Sequence, residues 1–200
     1  MLCCLTVYAC AETTTAGYIG TINGDVYENP VFGIGCSLPG WKYASEAEIQ
    51  ALLNQITGSA PDDVSEVINS SNNVTLMYAN DSSGLQTVTL QVQKMNMGEI
   101  TLANTFDAET VVKTILEAAT DTLVSSYESL GCSNVQVVIN SVNIDGTDFI
   151  GLKVTASMNG IPIYSQEIAY ISGDYMVYVA VNTFISDGTA DIFSNFYVIQ

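Results

Sequence analysis

The chain has 200 residues and a formal charge of −17, because it has 21 acidic residues, four lysines, no arginine and no histidine. A polyanion with four cations cannot neutralise a row of phosphates, which argues against a nucleic-acid-binding protein. The lack of histidine excludes Ser-His-Asp and Cys-His catalysis, and the lack of arginine excludes a bidentate clamp on phosphate or carboxylate. The length and the hydrophobic fraction of 48% predict one globular domain.

The N-terminus is an apolar run that stops at Cys10, directly after the small residue Ala9. This arrangement resembles the cleavage site of a bacterial lipoprotein signal peptide, in which the cysteine becomes the new N-terminus and carries the lipid. Tyr8 is bulkier than the residue usual at its position, and the basic start of a signal peptide is missing. The alternative interpretation is a buried apolar strand with free thiols.

The lipoprotein resemblance implies a signal segment over 1–10, a tether over 11–16, one domain over 17–200 and lipidation at Cys10. It also implies an extracytoplasmic location, either lipid-anchored to the cell membrane or secreted. No apolar run reaches the roughly 18 residues that a transmembrane helix needs, so we expect membrane contact only through the lipid.

Two cysteines, Cys36 and Cys132, lie within the expected domain. An oxidising exterior would permit a disulfide between them, but two separate core residues are an equally good interpretation. No Cys-x-x-Cys spacing is present, so a structural zinc site has no support. We therefore expect no metal and no cofactor.

The first half of the domain alternates strand and helix patterns. Strands are predicted over 18–22, 26–27 and 31–36, and Asn23-Gly24 is a hairpin-turn signal between the first two. Ser45 and Glu48 form a capping-box pattern at the start of a helix that ends near Gly58. A short helix is predicted within 61–71, followed by a hairpin of strands over 74–79 and 85–95.

The second half predicts one long helix and then an antiparallel meander. Asp107 has the N-cap pattern, an apolar stripe continues to Leu130, and Gly131 ends the helix. The meander strands are predicted over 135–142, 149–158, 161–170 and 175–184, with turns at Asp145-Gly146, Asn159-Gly160 and Ser172-Gly173. A short C-terminal helix is predicted over 192–197.

The turn at Asn159-Gly160 also predicts the strand register. A two-residue turn there pairs Leu152 with Glu167 and Thr155 with Tyr164. Both faces of the sheet then carry large apolar side chains, so helices are expected to cover both sides at least in part. The predicted fold class is α+β, with an antiparallel sheet of about six or more strands flanked by helices.

The element order resembles the PsbP-like sandwich, in which an antiparallel sheet lies between helices. The segment from Tyr27 to Gly35, followed by Leu38-Pro39-Gly40-Trp41, resembles the opening of uncharacterised bacterial lipoproteins of that shape. The resemblance implies an extracytoplasmic assembly or adaptor module without catalysis, and it assigns no functional residue. Its implied partner is a protein or small ligand at the cell envelope.

Glu167 is the most interesting carboxylate, because the register places it on an otherwise apolar face, opposite Leu152 and beside Tyr178. Burial raises the pKa of a carboxyl group, which would suit a general acid. A slipped register, a bulge or a strand end near solvent would each remove that role. We expect the four lysines, including Lys153, to be solvated on the surface.

Other side chains suggest ligand binding rather than catalysis. Four aromatic residues are candidates for a platform that binds a sugar or peptide, namely Trp41, Tyr43, Tyr164 and Tyr170. Two acidic pairs have the oxygen ligands that calcium prefers, Asp145 with Asp148 and Asp187 with Asp191, although Asp before Gly is ordinary turn chemistry.

The predicted function is a non-catalytic extracytoplasmic lipoprotein domain that acts as a binding or adaptor module at the cell envelope. The alternatives are a carboxylate-dependent hydrolase that uses Glu167 with a second acid, and a calcium-dependent surface module. Two carboxylates about 5–10 Å apart in one pocket would favour the hydrolase.

Overall fold

The computed structural model describes residues 18–45, 47–49, 51 and 73–199. The segment with Cys10, the helix expected beyond residue 51 and the helix expected within 61–71 lie outside the described residues. The start of the first helix is described. The Ser45 backbone N–H donates to the Glu48 carboxylate at 2.7 Å, and the Glu48 N–H donates to Ser45 Oγ at 3.3 Å. The predicted capping box is therefore confirmed.

The described strands form two sheets in which every paired neighbour runs antiparallel. In chain order they are β1 (Thr21–Asn23), β2 (Val26–Asn29), β3 (Ile34–Ser37), β4 (Lys42–Tyr43), β5 (Val74–Asn80), β6 (Gln86–Lys94), β7 (Cys132–Ile144), β8 (Thr147–Met158), β9 (Ile161–Ser172), β10 (Tyr175–Phe184) and β11 (Phe196–Val198). One sheet has the order β4-β5-β6-β10-β9-β8-β7, and the other has the order β1-β2-β3-β11. An antiparallel α+β architecture is therefore confirmed.

The register predicted for the meander is also confirmed. Leu152 pairs with Glu167 and Thr155 pairs with Tyr164. Asn159 and Gly160 both have positive φ, at 52° and 80°, as a two-residue primed turn requires. The turn after β9 lies one residue later than predicted, because Ser172 still pairs with Tyr175.

The described residues include three helices with assigned ends, α1 (Met97–Thr105), α2 (Ala108–Ser129) and α3 (Thr189–Phe193). The side chain of Asp107 caps α2 by accepting the Thr110 N–H at 2.8 Å, and Gly131 follows the helix with φ at +86°. Both predicted ends of this helix are confirmed. Leu130 lies beyond the last helical residue and is 69% exposed, so the apolar stripe stops before it.

The sequence patterns missed α1. Its N-terminus has a capping box, because Asn96 accepts the Glu99 N–H at 3.1 Å and the Glu99 carboxylate accepts the Asn96 N–H at 2.7 Å. None of its residues is buried, and apolar side chains such as Met97 and Leu102 do not follow one face. Without a stripe the helical period gives no signal, so only the cap could have indicated this helix.

One face of the seven-stranded sheet packs against α2, and we call it the helix-covered face. It includes Leu152 and Ala169, which lie in one core cluster with Val112 and Leu116 of α2. Glu167 pairs with Leu152 and lies two residues before Ala169 on β9, and such residues point to the same side of a sheet, so Glu167 shares this face. The long amphipathic helix therefore covers the sheet as its stripe predicted.

The opposite face carries helix only in part, as expected, and its larger cover is a second sheet that the sequence did not predict. Among the described residues, this cover consists of the four-stranded sheet, the five-residue α3 and the helical residue Ile49, and we call the face the sheet-covered face. Tyr27 and Phe32 lie there in one cluster with Ile168 and Val177. The two sheets are also joined by the Tyr170 hydroxyl, which donates to the Phe32 carbonyl at 2.9 Å.

The fourth strand of the smaller sheet, β11, comes from the C-terminal segment of the chain. Residues 192–197 were predicted as a helix, but α3 ends at Phe193 and residues from Phe196 form β11, which pairs with β3. A Cβ on Gly35 would lie 2.6 Å from the ring of Tyr197, so this glycine lets the Tyr197 ring lie against the strand with which it pairs. Partners about 160 residues apart leave no local pattern, which explains why β11 was missed.

The Tyr-x-Asn motif at the start of the domain builds a buried hydrogen-bond network. The Tyr27 hydroxyl donates to the Ile19 carbonyl at 2.8 Å, and the Asn29 amide donates to Tyr27 Oη at 3.0 Å. The Asn29 amide oxygen accepts the Phe32 N–H at 3.2 Å. These hydrogen bonds therefore fix the backbone at Ile19, before β1, and the connection between β2 and β3.

Candidate binding site

Glu167 is partly buried on the helix-covered face, in the register that the sequence predicted. Burial raises the pKa of this carboxyl group from its ordinary value of 4.5 to about 7. Tyr127 of α2 and Tyr178 of β10 lie near enough that the Glu167 charge adds to the rise that burial causes in their pKa values. Glu167 is therefore a desolvated carboxyl group beneath a helix.

The four candidate aromatic residues do not share one surface. Tyr43 lies on the edge strand β4 and its ring stacks on Tyr27, with centroids 6.4 Å apart. Tyr164 and Tyr170 lie on β9, and three strands separate β9 from β4 in the sheet. Tyr170 contacts Phe149 edge-on at 5.3 Å, between the two sheets. Trp41 is half-buried against the core near Tyr43.

Cys36 and Cys132 are separate core residues with free thiols, which decides between the two interpretations left open by the sequence. Cys36 Sγ lies 3.7 Å from Tyr43 Oη, and burial raises the pKa of the Cys36 thiol to about 11. A thiol with so high a pKa stays protonated at neutral pH and is a poor nucleophile.

The acidic pairs are held by other protein groups. Asp148 accepts a hydrogen bond from the Asn143 amide at 2.7 Å beside the β7–β8 turn, and Asp187 pairs with Lys153. Within the part of the chain that the structure describes, no three cysteine, aspartate or glutamate side chains converge on one point. Calcium binding by these pairs stays a prediction.

A polar cavity of about 310 Å³ lies between α3 and the β7, β8 and β9 part of the sheet-covered face. We call it the polar cavity. Its strand side includes Asn140, Lys153 and Gln166, and its helix side includes Thr189 and Phe193. It therefore brings amide, ammonium and hydroxyl groups together beside one aromatic ring.

Asn140 and Gln166 form the floor of this cavity as a reciprocal amide pair. Each amide N–H group donates to the other side chain's oxygen at 2.9 Å, and Gln166 Nε2 also lies 3.2 Å from the Leu152 carbonyl. Gln166 is 3% exposed, so its partners satisfy a group that would otherwise be costly to bury. Asn140 retains one N–H and one acceptor site for a further partner.

This pair exists because residue 151 is glycine. A Cβ there would lie 2.0 Å from the Glu167 carbonyl oxygen and 3.1 Å from Gln166 Nε2. The bare backbone of Gly151 leaves the space through which the two amides meet across β8.

Lys153 contributes a charge to the cavity and pairs with Asp187 at 2.5 Å, where both side chains are about one third exposed. Burial acts to raise the pKa of Asp187, but hydrogen bonds from Lys153 and Thr189 outweigh it and hold that pKa below its ordinary value. Asp187 therefore stays ionised, and the pair adds no net charge to the cavity.

The solvated surface position expected for Lys153 holds only in part, because its side chain is 31% exposed and paired with Asp187. The sequence register already placed Lys153 opposite Gln166 on a face with Ile168 and Tyr170, which was the one available signal. No sequence pattern indicated its ion-pair partner, Asp187, which lies 34 residues later in the segment before α3.

The comparisons with known proteins leave the site to be interpreted from its own geometry. No protein-family model matches the chain, and no curated protein matches it significantly. Among the described residues, no helix combines the length and the apolar composition needed to cross a lipid bilayer. The charged group that lines the cavity, Lys153, is paired with Asp187.

Proposed function

We propose that the chain is a non-catalytic binding or adaptor domain, held outside the cytoplasm by a lipid on Cys10. The observation that carries the binding role is the polar cavity, because Lys153, Asn140 and Gln166 surround a volume that can hold a small group. The Ala9-Cys10 boundary supports the lipid, and the resemblance to PsbP-like lipoprotein domains supports an adaptor role at the cell envelope.

The chemistry of the cavity favours binding over turnover. The Thr189 hydroxyl donates to Asp187 at 2.7 Å, which resembles a nucleophile beside a base. A general base works best with a pKa near the operating pH, whereas the Asp187 pKa is held below its ordinary value. Lys153 pairs with the same carboxylate and helps to hold its pKa low, so Asp187 is not poised to take a proton.

Intact mass spectrometry of protein extracted from the cell envelope tests the location. We expect a mature chain that begins at Cys10 and carries a diacylglyceryl group, and we expect a Cys10→Ala variant to lose both the mass increment and the membrane association. An unprocessed chain that begins at Met1 in the cytoplasm would contradict the proposal.

One observation favours a second candidate, the carboxylate-dependent hydrolase. Burial raises the Glu167 pKa to about 7, which is the value of a general acid poised for work near neutral pH. A panel of ester and glycoside substrates tests it against a Glu167→Gln variant, with Glu117→Gln on the exposed surface of α2 as the control. Activity that is absent from the parent chain, or unchanged in Glu167→Gln, eliminates the hydrolase.

A further inference from the structure

The edges of the two sheets differ greatly in length. Three edge strands are short, since β4 has two residues and β1 and β11 have three each, whereas β7 at the fourth edge has thirteen. An edge strand carries a row of backbone N–H and C=O groups without a strand partner, and proteins ordinarily keep it short, charged or covered. Among the strands that the structure describes, three of the four edges follow this rule, and β7 does not.

β7 also lacks the charges that protect a long edge. No lysine, aspartate or glutamate occurs between Cys132 and Ile144, although the chain as a whole carries −17. A bulge shifts the register between Ser133 and Gln136, but from Gln136 onward the pairing with β8 is unbroken. Val138 in this stretch is 55% exposed. With respect to residues 18–45, 47–49, 51 and 73–199, about 30 Å of uncharged edge therefore has no strand partner, at roughly 3.4 Å per residue.

The polar cavity lies beside this edge. Asn140 and Val142 of β7 line it together with Lys153 of β8. A strand that paired with β7 would pass the cavity and could direct one of its side chains into it. Because Lys153 and Asp187 neutralise each other, an uncharged amide or hydroxyl side chain suits the cavity best. In strand addition the backbone bonds supply affinity, and such pockets supply the sequence preference.

The charge of the chain selects between possible occupants of the edge. A second copy would bring another −17 against the first, whereas the same field attracts a basic segment and does not repel a neutral one. We infer that β7 is a docking edge for an extended, uncharged or basic segment of a partner polypeptide. This segment adds to the seven-stranded sheet as an eighth strand and places one amide or hydroxyl side chain in the polar cavity.

This inference rests on the proposed binding function and names the class of its partner. The probe that tests it is a displayed library of random seven-residue peptides flanked by lysines, selected against the full chain. We expect enrichment of peptides rich in β-branched residues, with Asn, Gln, Ser or Thr at one fixed position. If no peptide is enriched above the background without the protein, the inference is overturned.

Backbone methylation of an enriched peptide separates strand addition from other modes of binding. An added strand bonds to β7 through alternate residues only, so two isomers are made, one N-methylated at even positions and one at odd positions. One isomer should lose about 100-fold or more in affinity by calorimetry and the other should keep it, because only one isomer lacks the N–H groups that bond to β7. Equal affinities of the two isomers would overturn the inference.

Two pairs of variants test the protein side. Val138→Lys puts a protecting charge on the edge and should weaken peptide binding by about tenfold or more. Its matched control is Ile161→Lys, which adds the same charge at a residue that is 50% exposed on an interior strand. Equal losses in Val138→Lys and Ile161→Lys would refute a docking edge.

The second pair of variants tests the cavity. Lys153→Gln should change the preference at the fixed peptide position, while Lys113→Gln on exposed α2 should not.

The same samples separate this inference from the proposed function. Light scattering that shows a dimer of the parent chain and a monomer of Val138→Lys would assign the edge to a second copy and overturn a polypeptide partner. Mass spectrometry that shows cleaved peptide would end the non-catalytic function but leave the docking edge supported. An absent lipid on Cys10 would change the location alone.

Discussion

Glu167 and Lys153 carry ionisable groups on opposite faces of the seven-stranded sheet, one rung apart in the β8–β9 ladder. Lys153 lies on the sheet-covered face, where Asp187 pairs with it and the amide pair of Asn140 and Gln166 forms its surroundings. Glu167 lies on the helix-covered face, where burial raises its pKa to about 7. The two sites therefore hold an ionisable group near the sheet in different ways, one by an ion pair and the other by a raised pKa.

The difference teaches how this fold tolerates burial of charge. Lys153 is paired with an opposite charge, and both side chains remain about one third exposed to water. Glu167 instead stays protonated up to nearly neutral pH, which avoids part of the free-energy cost of burying a charged carboxylate. Paired charges suit a site that binds, whereas a carboxyl group that titrates near pH 7 makes the helix-covered side sensitive to pH.

The largest expected effect is that of Gly151→Ala, because Gly151 lies between the two sites. Its Cβ would lie 2.0 Å from the Glu167 carbonyl oxygen, so β8 and β9 would have to separate. We expect the free energy of unfolding in urea to fall by about 3 kcal/mol or more. Gly188→Ala is the control, since its Cβ would meet nothing closer than 3.6 Å; an equal loss there would contradict the explanation.

Glu167→Gln sharpens the comparison through pH. The native pKa of about 7 lies above the ordinary 4.5, so the native state holds the proton more tightly. Stability from this group is present below pH 4.5 and is lost as pH rises through 7, by about 3 kcal/mol in all. Urea unfolding at pH 4 and pH 8 should show Glu167→Gln gaining over the parent chain only at pH 8. A gain of the same size at both values would disprove it.

Gln166→Leu breaks the paired side of the comparison. The Asn140 amide and the Leu152 carbonyl would lose their partner, and we expect a loss of about 2 kcal/mol in unfolding free energy. Adding Asn140→Val should cost less than its effect in the parent chain, because the first change already removes the shared bonds. Strictly additive losses would show that the two amides act independently.

The smallest expected effect is that of Lys153→Met. Both partners are about one third exposed, so the ion pair should contribute about 1 kcal/mol or less at pH 7. The Asp187 pKa is held low, so this contribution is present above its unfolded pKa and is lost as pH falls through the native value. Melting curves at pH 7 and pH 3 measure it, with Lys42→Met as the control because Lys42 is 76% exposed and 4.0 Å from Glu48.

Features that depend on neighbours in sequence were predictable. Asn159-Gly160 specified a turn and hence the pairing of Leu152 with Glu167, and Asp107 specified the start of α2. The candidate site was only half predictable, since the register placed Lys153 beside Gln166 without indicating a cavity. The helix side of the cavity, α3, and the ion-pair partner of Lys153, Asp187, both come from the C-terminal segment. No local sequence pattern connects that segment to β8.

By itself the sequence determined the β5–β6 hairpin, the meander strands β7–β10 and the ends of α2, because caps, turn residues and side-chain alternation act over a few residues. Only the tertiary structure decided that a second sheet, joined through β3 and β11, covers the face opposite α2. It also decided that β7 stays at an edge and that Lys153 meets Asp187. Such contacts depend on which surfaces, distant in sequence, pack against one another. The hydrophobic periodicity of a single segment does not indicate its tertiary partner.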